Sequence, residues 1–146
     1  MIDGSSSEEE QTLVLSWLRD FNHAENGPFM ASLEDGAEQP FFLVSRDDAG
    51  QVIGGLQGLT LYRWLKIEIM AVHPDARGRG IGTQLMKAAE QRGIECGCDF
   101  AYVDTMSHQA PAFYRGLGYL ESGRLEDWDS HGHDKFFFTK ALNAEA

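Results

Sequence analysis

Ala76-Arg77-Gly78-Arg79-Gly80-Ile81-Gly82-Thr83 decides how the rest of this chain reads. Two arginines and three glycines fall between Arg77 and Gly82. A strand-like run, Lys66 to Val72, precedes the stretch and closes at His73-Pro74. After it, Ile81, Leu85 and Ala88/Ala89 recur at three- and four-residue steps, the spacing of one helix face. A glycine-rich turn from strand to helix leaves backbone N–H groups without partners at the positive end of the helix dipole. Such a turn is an anion site, suited above all to phosphates. Glycine serves it twice, since a Cβ would hold a pyrophosphate off the main chain and some of these turns need positive φ.

Two phosphate motifs are excluded. No lysine lies near Gly82-Thr83, as the nucleotide P-loop requires, and the third glycine of the dinucleotide fingerprint falls at position 83, which is Thr83. Composition narrows the reading further. A chain of 146 residues with 42% hydrophobic content fits one domain with a sizeable core. Its net charge of −11 argues against nucleic acid as a partner and suits a cationic substrate such as an amine. No apolar run approaches a membrane span, and Met1–Glu10 is polar and acidic, unlike a signal or transit peptide, so a cytoplasmic protein with no membrane partner is expected. Cys96 and Cys98, separated by Gly97 alone, are poor disulfide partners and belong to no zinc-type cluster; free thiols and no metal are expected.

Along the chain, Ser5-Ser6-Ser7 before Glu8-Glu9-Glu10 offers a helix cap, and Leu13, Trp17, Leu18 and Phe21 continue at helical spacing to about His23. Residues 24–40 read as loop, with a short helix over Phe29–Leu33. Phe41–Arg46 and Gln51–Tyr62 form a hairpin across Asp47-Asp48-Ala49-Gly50, and Gly54, Gly55 and Gly58 mark a bulge or a close backbone neighbour. In the next strand, Leu65–Val72, alternation puts Ile67, Ile69 and Ala71 on one face and Glu68, Met70 and Val72 on the other. The helix after the glycine turn runs to about Arg92, with Gly93 as its stop. Asp99–Thr105 is a strand parallel to Leu65–Val72, because a crossover helix joins the two. A short helix over Gln109–Leu117, a strand from Gly118 to about Glu126, a polar and aromatic loop Asp127–His133 and a strand Lys135–Leu142 complete the chain. This order predicts an α/β domain around a mixed central sheet.

Arg77-x-x-Gly80-x-Gly82 resembles the coenzyme A pyrophosphate loop of the GNAT acetyltransferase superfamily. A second segment, Ala110-Pro111-Ala112-Phe113-Tyr114-Arg115-Gly116-Leu117-Gly118-Tyr119, is similar to that family's Ala-x-x-x-Tyr-x-x-x-Gly-Phe/Tyr pattern. The resemblance covers nearly the whole chain. It implies the GNAT fold over residues 1–146: a mixed, mostly antiparallel sheet with a parallel βαβ unit at its centre and helices on both faces. The family has a strand before its first helix; here only Met1–Gly4 is available, so that strand is expected to be short or absent. Ser107 stands where the family often has an asparagine contacting the pantetheine arm.

The resemblance also implies roles. Acetyl-CoA is the donor and coenzyme A the product. The pyrophosphate lies on the backbone of Gly78, Arg79, Gly80, Gly82 and Thr83, with Ile81 in the same turn and Arg77 and Arg79 adding charge. Pantetheine runs along Met70, Ala71 and Val72, with the Val72 N–H polarising the thioester oxygen, and it meets Ser107, Ala110 and Phe113. Tyr114 is the acid for the departing thiolate. Glu68 is the candidate base and Asp104 its rival. Asn22, Glu25, Tyr62 and Trp64 are candidate walls of the acceptor pocket, with His131 and His133 beside it. The reading that follows is N-acetylation of a primary amine on a small molecule. A non-catalytic acyl-CoA-binding module and a protein N-terminal or lysine acetyltransferase are the alternatives, and a homodimer paired through the Phe136–Phe138 strand is compatible with either.

Overall fold

A computed structural model describes residues 1–142 as two compact units, residues 1–37 and the region from residue 38 onward. The first unit holds helices α1 (Glu8–Glu25) and α2 (Gly27–Glu34). Ser7 caps α1 through a reciprocal box: its hydroxyl accepts the Glu10 N–H at 3.2 Å, and the Glu10 carboxylate accepts the Ser7 N–H at 3.0 Å. Glu8, Glu9 and Glu10 therefore sit where the helix dipole favours negative charge. Met1–Gly4 forms no strand. The segment read as mostly loop contains all of α2, because Pro28 in its first turn needs no N–H partner there.

The second unit is a six-stranded sheet in the order β1-β2-β3-β4-β6-β5. Its strands are β1 (Gln39–Arg46), β2 (Val52–Leu61), β3 (Trp64–Val72), β4 (Phe100–Met106), β5 (Leu120–Leu125) and β6 (Lys135–Ala141). Only β3 and β4 pair in parallel, joined by helix α3 (Ile81–Glu95); every other neighbour is antiparallel. Helix α4 (Pro111–Gly116) leads into β5.

One face of the sheet carries the core. Ile81, Leu85, Met86 and Ala89 of α3 and Tyr114 of α4 pack on Leu56, Leu65, Ile67, Ala101, Val103 and Phe138. Gly93 does not end α3. A Cβ there would meet the Leu65 side chain at 3.2 Å, so this glycine is a contact point between helix and sheet, and the left-handed residue past the helix end is Gly97. Gly58 is a second close approach, since a Cβ would lie 2.7 Å from the Lys66 carbonyl oxygen.

The dimer expectation through Phe136–Phe138 fails on topology. Strand β6 lies inside the sheet with β4 on one side and β5 on the other, so neither of its edges is open to a second copy.

A buried defect gives the first prediction. Tyr119 is 1% exposed and its hydroxyl has no hydrogen-bond partner among the described residues. Leaving such a group unpaired costs about 1–3 kcal/mol. Tyr119→Phe should stabilise the protein by about 1 kcal/mol, which thermal unfolding would register as a rise of roughly 3 °C. A fall in Tm would mean that the hydroxyl is served in solution.

Candidate active site

Strands β3 and β4 pair from Trp64 opposite Phe100 to Ile67 opposite Val103, and no further. Past that rung β3 stays bonded only to β2, and β4 only to β6. A gap thus opens in the middle of the sheet. The His73 N–H donates to the Ile53 carbonyl at 2.8 Å, on the β2 side. Alternation sends the Ala71 N–H the same way and turns those of Met70 and Val72 into the gap. The Val72 carbonyl, on the gap side, accepts the Arg77 Nε–H at 3.3 Å.

At the end of β3, His73 caps a single 3-10 turn, Pro74–Ala76, its ring nitrogen accepting the Asp75 N–H at 3.1 Å. Gly78 and Gly80 follow at φ 77° and 79°. Gly80 is the residue before α3, and no side chain caps the helix. Its carbonyl takes the Gln84 N–H at 3.0 Å, so the N–H groups ahead of Gln84 have no acceptor within the helix. A Cβ at Gly78 or Gly80 would project into open space, the space an approaching anion needs. These residues therefore fit a pyrophosphate. Arg77 and Arg79 flank the turn, and Arg79 donates to the Asp75 carbonyl at 3.1 Å. Gly82 does different work: a Cβ would stand 3.3 Å from the Phe113 ring and 3.5 Å from Met70 Cε, so it lets α3 seat against α4 and β3. Thr83 lies in the same first turn of α3.

Glu68 does not share a face with Met70 and Val72, as simple alternation has it. Gln57 pairs with Ile69 and Gly58 with Ile67, which leaves Glu68 as an extra residue, a bulge. Beyond it the faces exchange. Met70 and Val72 join Leu65 and Ile67 against the core, while Ile69 is 56% exposed. Glu68 thus points away from Met70 and Val72, on the exposed face of the sheet. Continuing the β3–β4 register by one rung sets it opposite Asp104, also exposed, between buried Val103 and Thr105. The two candidate bases flank the mouth of the gap on one face. Glu68 has no hydrogen bond or ion pair among the described residues.

Tyr114 lies on the helix-covered face, 5% exposed, against Phe113, Tyr119 and Phe138. Burial first, and the Asp104 carboxylate second, push its phenol above the ordinary tyrosine range, so it is a neutral O–H donor at neutral pH. Ala110 precedes α4 and its N–H donates to Thr105 Oγ1 at 3.4 Å. Ser107 is tied to the loop before β6: its N–H donates to the Asp134 carbonyl at 2.9 Å and its hydroxyl accepts the Asp134 N–H at 3.0 Å.

Within the second unit, not every expected residue converges on the gap. Tyr62 and Trp64 stand at the opposite end of β3, with Trp64 about 13 Å along the strand from Glu68. Trp64 packs on Phe100 at 5.0 Å and helps line a separate groove of about 560 Å³ with Leu120 and Lys140. Asn22 and Glu25 lie in the last turn of α1, in the first unit. His133 is held by the loop between β5 and β6, where its Nδ1 is 2.6 Å from Asp129 Oδ2 and its ring meets that of His108 edge-on at 4.6 Å. His131 closes on the same aspartate. Trp128 and Lys135, which sequence reasoning passed over, also lie at this end of the sheet; the only signal was the aromatic and polar character of the loop.

The family model described as Acetyltransferase (GNAT) family matches residues 8–119. The chain belongs to the GNAT acetyltransferase family. Members of this family of acyltransferases take the acetyl group from acetyl-CoA. Blasticidin-S acetyltransferase of Streptomyces morookaense is 37% identical over 82 residues, 56% of this chain and 60% of that protein. This chain thus spans less than two thirds of that relative. An acetyltransferase of Agrobacterium fabrum is 32% identical over 96 residues, covering 66% of this chain and 70% of its own. The crystal structure of an acetyltransferase from Bacillus cereus superposes with a TM-score of 0.75 at 28% identity, covering 97% of each chain. The GNAT sheet, with its one parallel pair, is therefore shared across the described chain.

The Asp129 turn yields a pH prediction. The His131 N–H above all, with His133 adding its side chain and N–H, holds this carboxyl at about 2 against an ordinary 3.8. The folded value is the lower one, so the turn's contribution is complete above about pH 4 and is lost as pH falls through 2. The backbone amide shifts of His131 and His133 should titrate near pH 2; a midpoint at 3.8 would mean that the turn is not formed in solution.

Proposed function

We propose that this protein is an N-acetyltransferase that acetylates a primary amine on a small molecule. The observation that carries the reading is the gap between β3 and β4, which runs from two exposed carboxylates at its mouth to an uncapped, glycine-lined helix start. The small-molecule acceptor draws support from the relative named for blasticidin-S and from the net charge of −11, which suits a cation.

Bound acetyl-CoA supplies an activated acetyl thioester. The N–H groups of Gly78, Arg79, Gly80, Gly82 and Thr83 hold the pyrophosphate, and Arg77 and Arg79 neutralise it. The Met70 and Val72 main chain binds the pantetheine arm, and the Val72 N–H polarises the thioester oxygen. Ser107, Ala110 and Phe113 border the arm on the α4 side. An alkylammonium cannot attack until it loses a proton, and Glu68 accepts that proton, directly or through water. When the nitrogen bonds to the carbonyl carbon and the C–S bond breaks, the Tyr114 hydroxyl would give its proton to the sulfur, and the second proton shed by the nitrogen would return to the Tyr114 oxygen, directly or through water. The raised pKa of Tyr114 keeps its own proton in place beforehand. Asp104, across from Glu68, is the group that takes over as base if Glu68 is dispensable.

Acetyl-CoA should raise the melting temperature, because a ligand bound only by the native state stabilises it. Gly80→Glu should abolish that rise by setting bulk and negative charge where the phosphates lie and by straining a residue at φ 79°. A normal rise in this variant would remove the phosphate assignment.

Glu68→Gln should lower kcat by roughly 10²–10⁴ with little change in acetyl-CoA affinity, and high pH should partly restore it by supplying neutral amine. Tyr114→Phe should also lower kcat, without that rescue. Screening a panel of amines for released thiol provides the substrate for this comparison. Wild-type kcat in Glu68→Gln across pH would transfer the base role to Asp104 or water.

A further inference from the structure

Strand β6 carries two lysines that the sheet treats differently. Lys140, on the helix-covered face, holds the nearly buried Glu90 of α3 through bonds of 2.5 and 3.2 Å. Lys135, at the start of the strand, lies on the exposed face. Its ammonium stands 4.4 Å over the Trp128 ring, 5.7 Å from the Phe137 ring and 3.8 Å from Asp104 Oδ1. It makes no hydrogen bond among the described residues, although an ammonium carries three donors. Two aromatic faces and a carboxylate are what an alkylammonium ligand needs, and here a tethered one rests among them loosely.

The cage is built independently of its tenant. Asp104 pairs across β4–β6 with Phe137, so register fixes carboxylate and ring side by side. Trp128 is presented by a loop folded by its own aspartates. Asp127 takes the Gly132 N–H at 2.7 Å, Asp129 takes those of His131 and His133, and Asp134 takes the Asp127 N–H at 2.9 Å. Trp128 is 53% exposed and Phe137 37% exposed, so the rings are open to a ligand. The Lys135 side chain is 23% exposed, and its ion pair with the half-exposed Asp104 at 3.8 Å, made without a hydrogen bond, is of a kind worth only a few-fold in an equilibrium constant, so the ammonium is displaceable.

We propose that Trp128, Phe137 and Asp104 form an alkylammonium subsite on the acceptor side, which Lys135 occupies in the free protein and yields to a second ammonium of a polycationic acceptor. The placement rests on the acceptor reading given above. Asp104 stands one rung past the last β3–β4 pair, opposite Glu68, and Lys135 is one strand further on. The β3–β4 gap lies between the lines of Glu68 and Lys135, which therefore stand more than two ordinary strand spacings, about 10 Å, apart. An acceptor with two ammonium groups that far apart reaches both, one for acetylation and one for the cage. Lys135 then acts as a selectivity filter: a monocation finds the cage filled and gains nothing from it.

The test reads binding without acetyl-CoA, so it is separate from catalysis. In the free protein the Lys135 Hε resonances should be shifted upfield by the Trp128 ring and should relax in Trp128→Ala. Spermidine at constant ionic strength should return them saturably to the exposed-lysine position, while n-butylamine should do so only at much higher concentration. By calorimetry, Lys135→Met should bind spermidine a few-fold more tightly, the competitor being gone. Trp128→Ala should bind it roughly 2- to 30-fold more weakly, and Trp128→Phe should retain much of the affinity should the alanine variant prove unstable. Unmoved Lys135 signals at saturating spermidine, absence of spermidine binding to wild type and Lys135→Met alike, or equal or weaker binding by Lys135→Met would each overturn the subsite. Acetylation of simple amines with no response of the cage would leave the acetyltransferase reading standing and remove the subsite. Cage binding with undiminished turnover in Glu68→Gln would keep the subsite and the acetyltransferase reading and remove the Glu68 mechanism alone.

Discussion

A strand in the middle of a sheet normally bonds on both edges, and the second unit of this protein is organised around one that does not. From Glu68 onward β3 has β2 on one side and a gap on the other. Unpaired main-chain groups are expensive when buried, so the gap is stable only if it is open to water or filled by a ligand that offers the same donors and acceptors. A pantetheine arm, with its amides, is such a ligand. The rest follows from keeping the gap open. Strand β4 is held away by its long pairing with β6, and Gly82 lets α3, Phe113 and Met70 pack where a larger residue would force them apart.

The bulge at Glu68 stands where β3 loses β4. An extra residue in one strand turns its side chains over and bends it, so the chain leaves the β4 register as its apolar residues exchange faces. The same local feature therefore opens the gap, sends Met70 and Val72 inward to close the core, and leaves Glu68 outside beside Asp104. Without the bulge, Met70 and Val72 would share the solvent face with Glu68, and Ile69 and Ala71 would turn inward in their place.

How much of this was legible in the sequence varied with the range of the cause. The glycine turn was readable because its φ requirement and its uncapped helix start are local. So was the Ser7 cap. The bulge was legible in part: the glycines of β2 marked a bulge or a close backbone neighbour, and the register shifts at Gly58, but the inserted residue is Glu68 of β3, which period-two alternation passes over. Gly93 read as a helix stop because glycine's conformational freedom is visible in sequence, whereas its contact with Leu65 is not. The Phe136–Phe138 run suggested an open edge; only the return of β5 outside β6 shows that edge covered. Tyr62 and Trp64 are close to Glu68 in sequence, yet in an extended strand a few residues carry the chain away from the site.

Charge is the last link between sheet and chemistry. On the proposed function, a strongly acidic protein takes both a polyphosphate coenzyme and a cation, and it must keep the two fields apart. Here Arg77 and Arg79 gather at the glycine turn, past the C-terminal end of β3, while Glu68 and Asp104 face out where β3 and β4 separate. Under the proposed function the donor's phosphates would meet arginines and free N–H groups, and the acceptor's ammonium would meet carboxylates, with the gap as the line along which they join. Lys135 sits on the acidic side of that line as a cation in the acceptor's field, and it is held there by rings and a carboxylate at 3.8 Å rather than by hydrogen bonds. The proposed subsite requires that grip to be weak, so that the lysine gives way when a better-matched cation arrives.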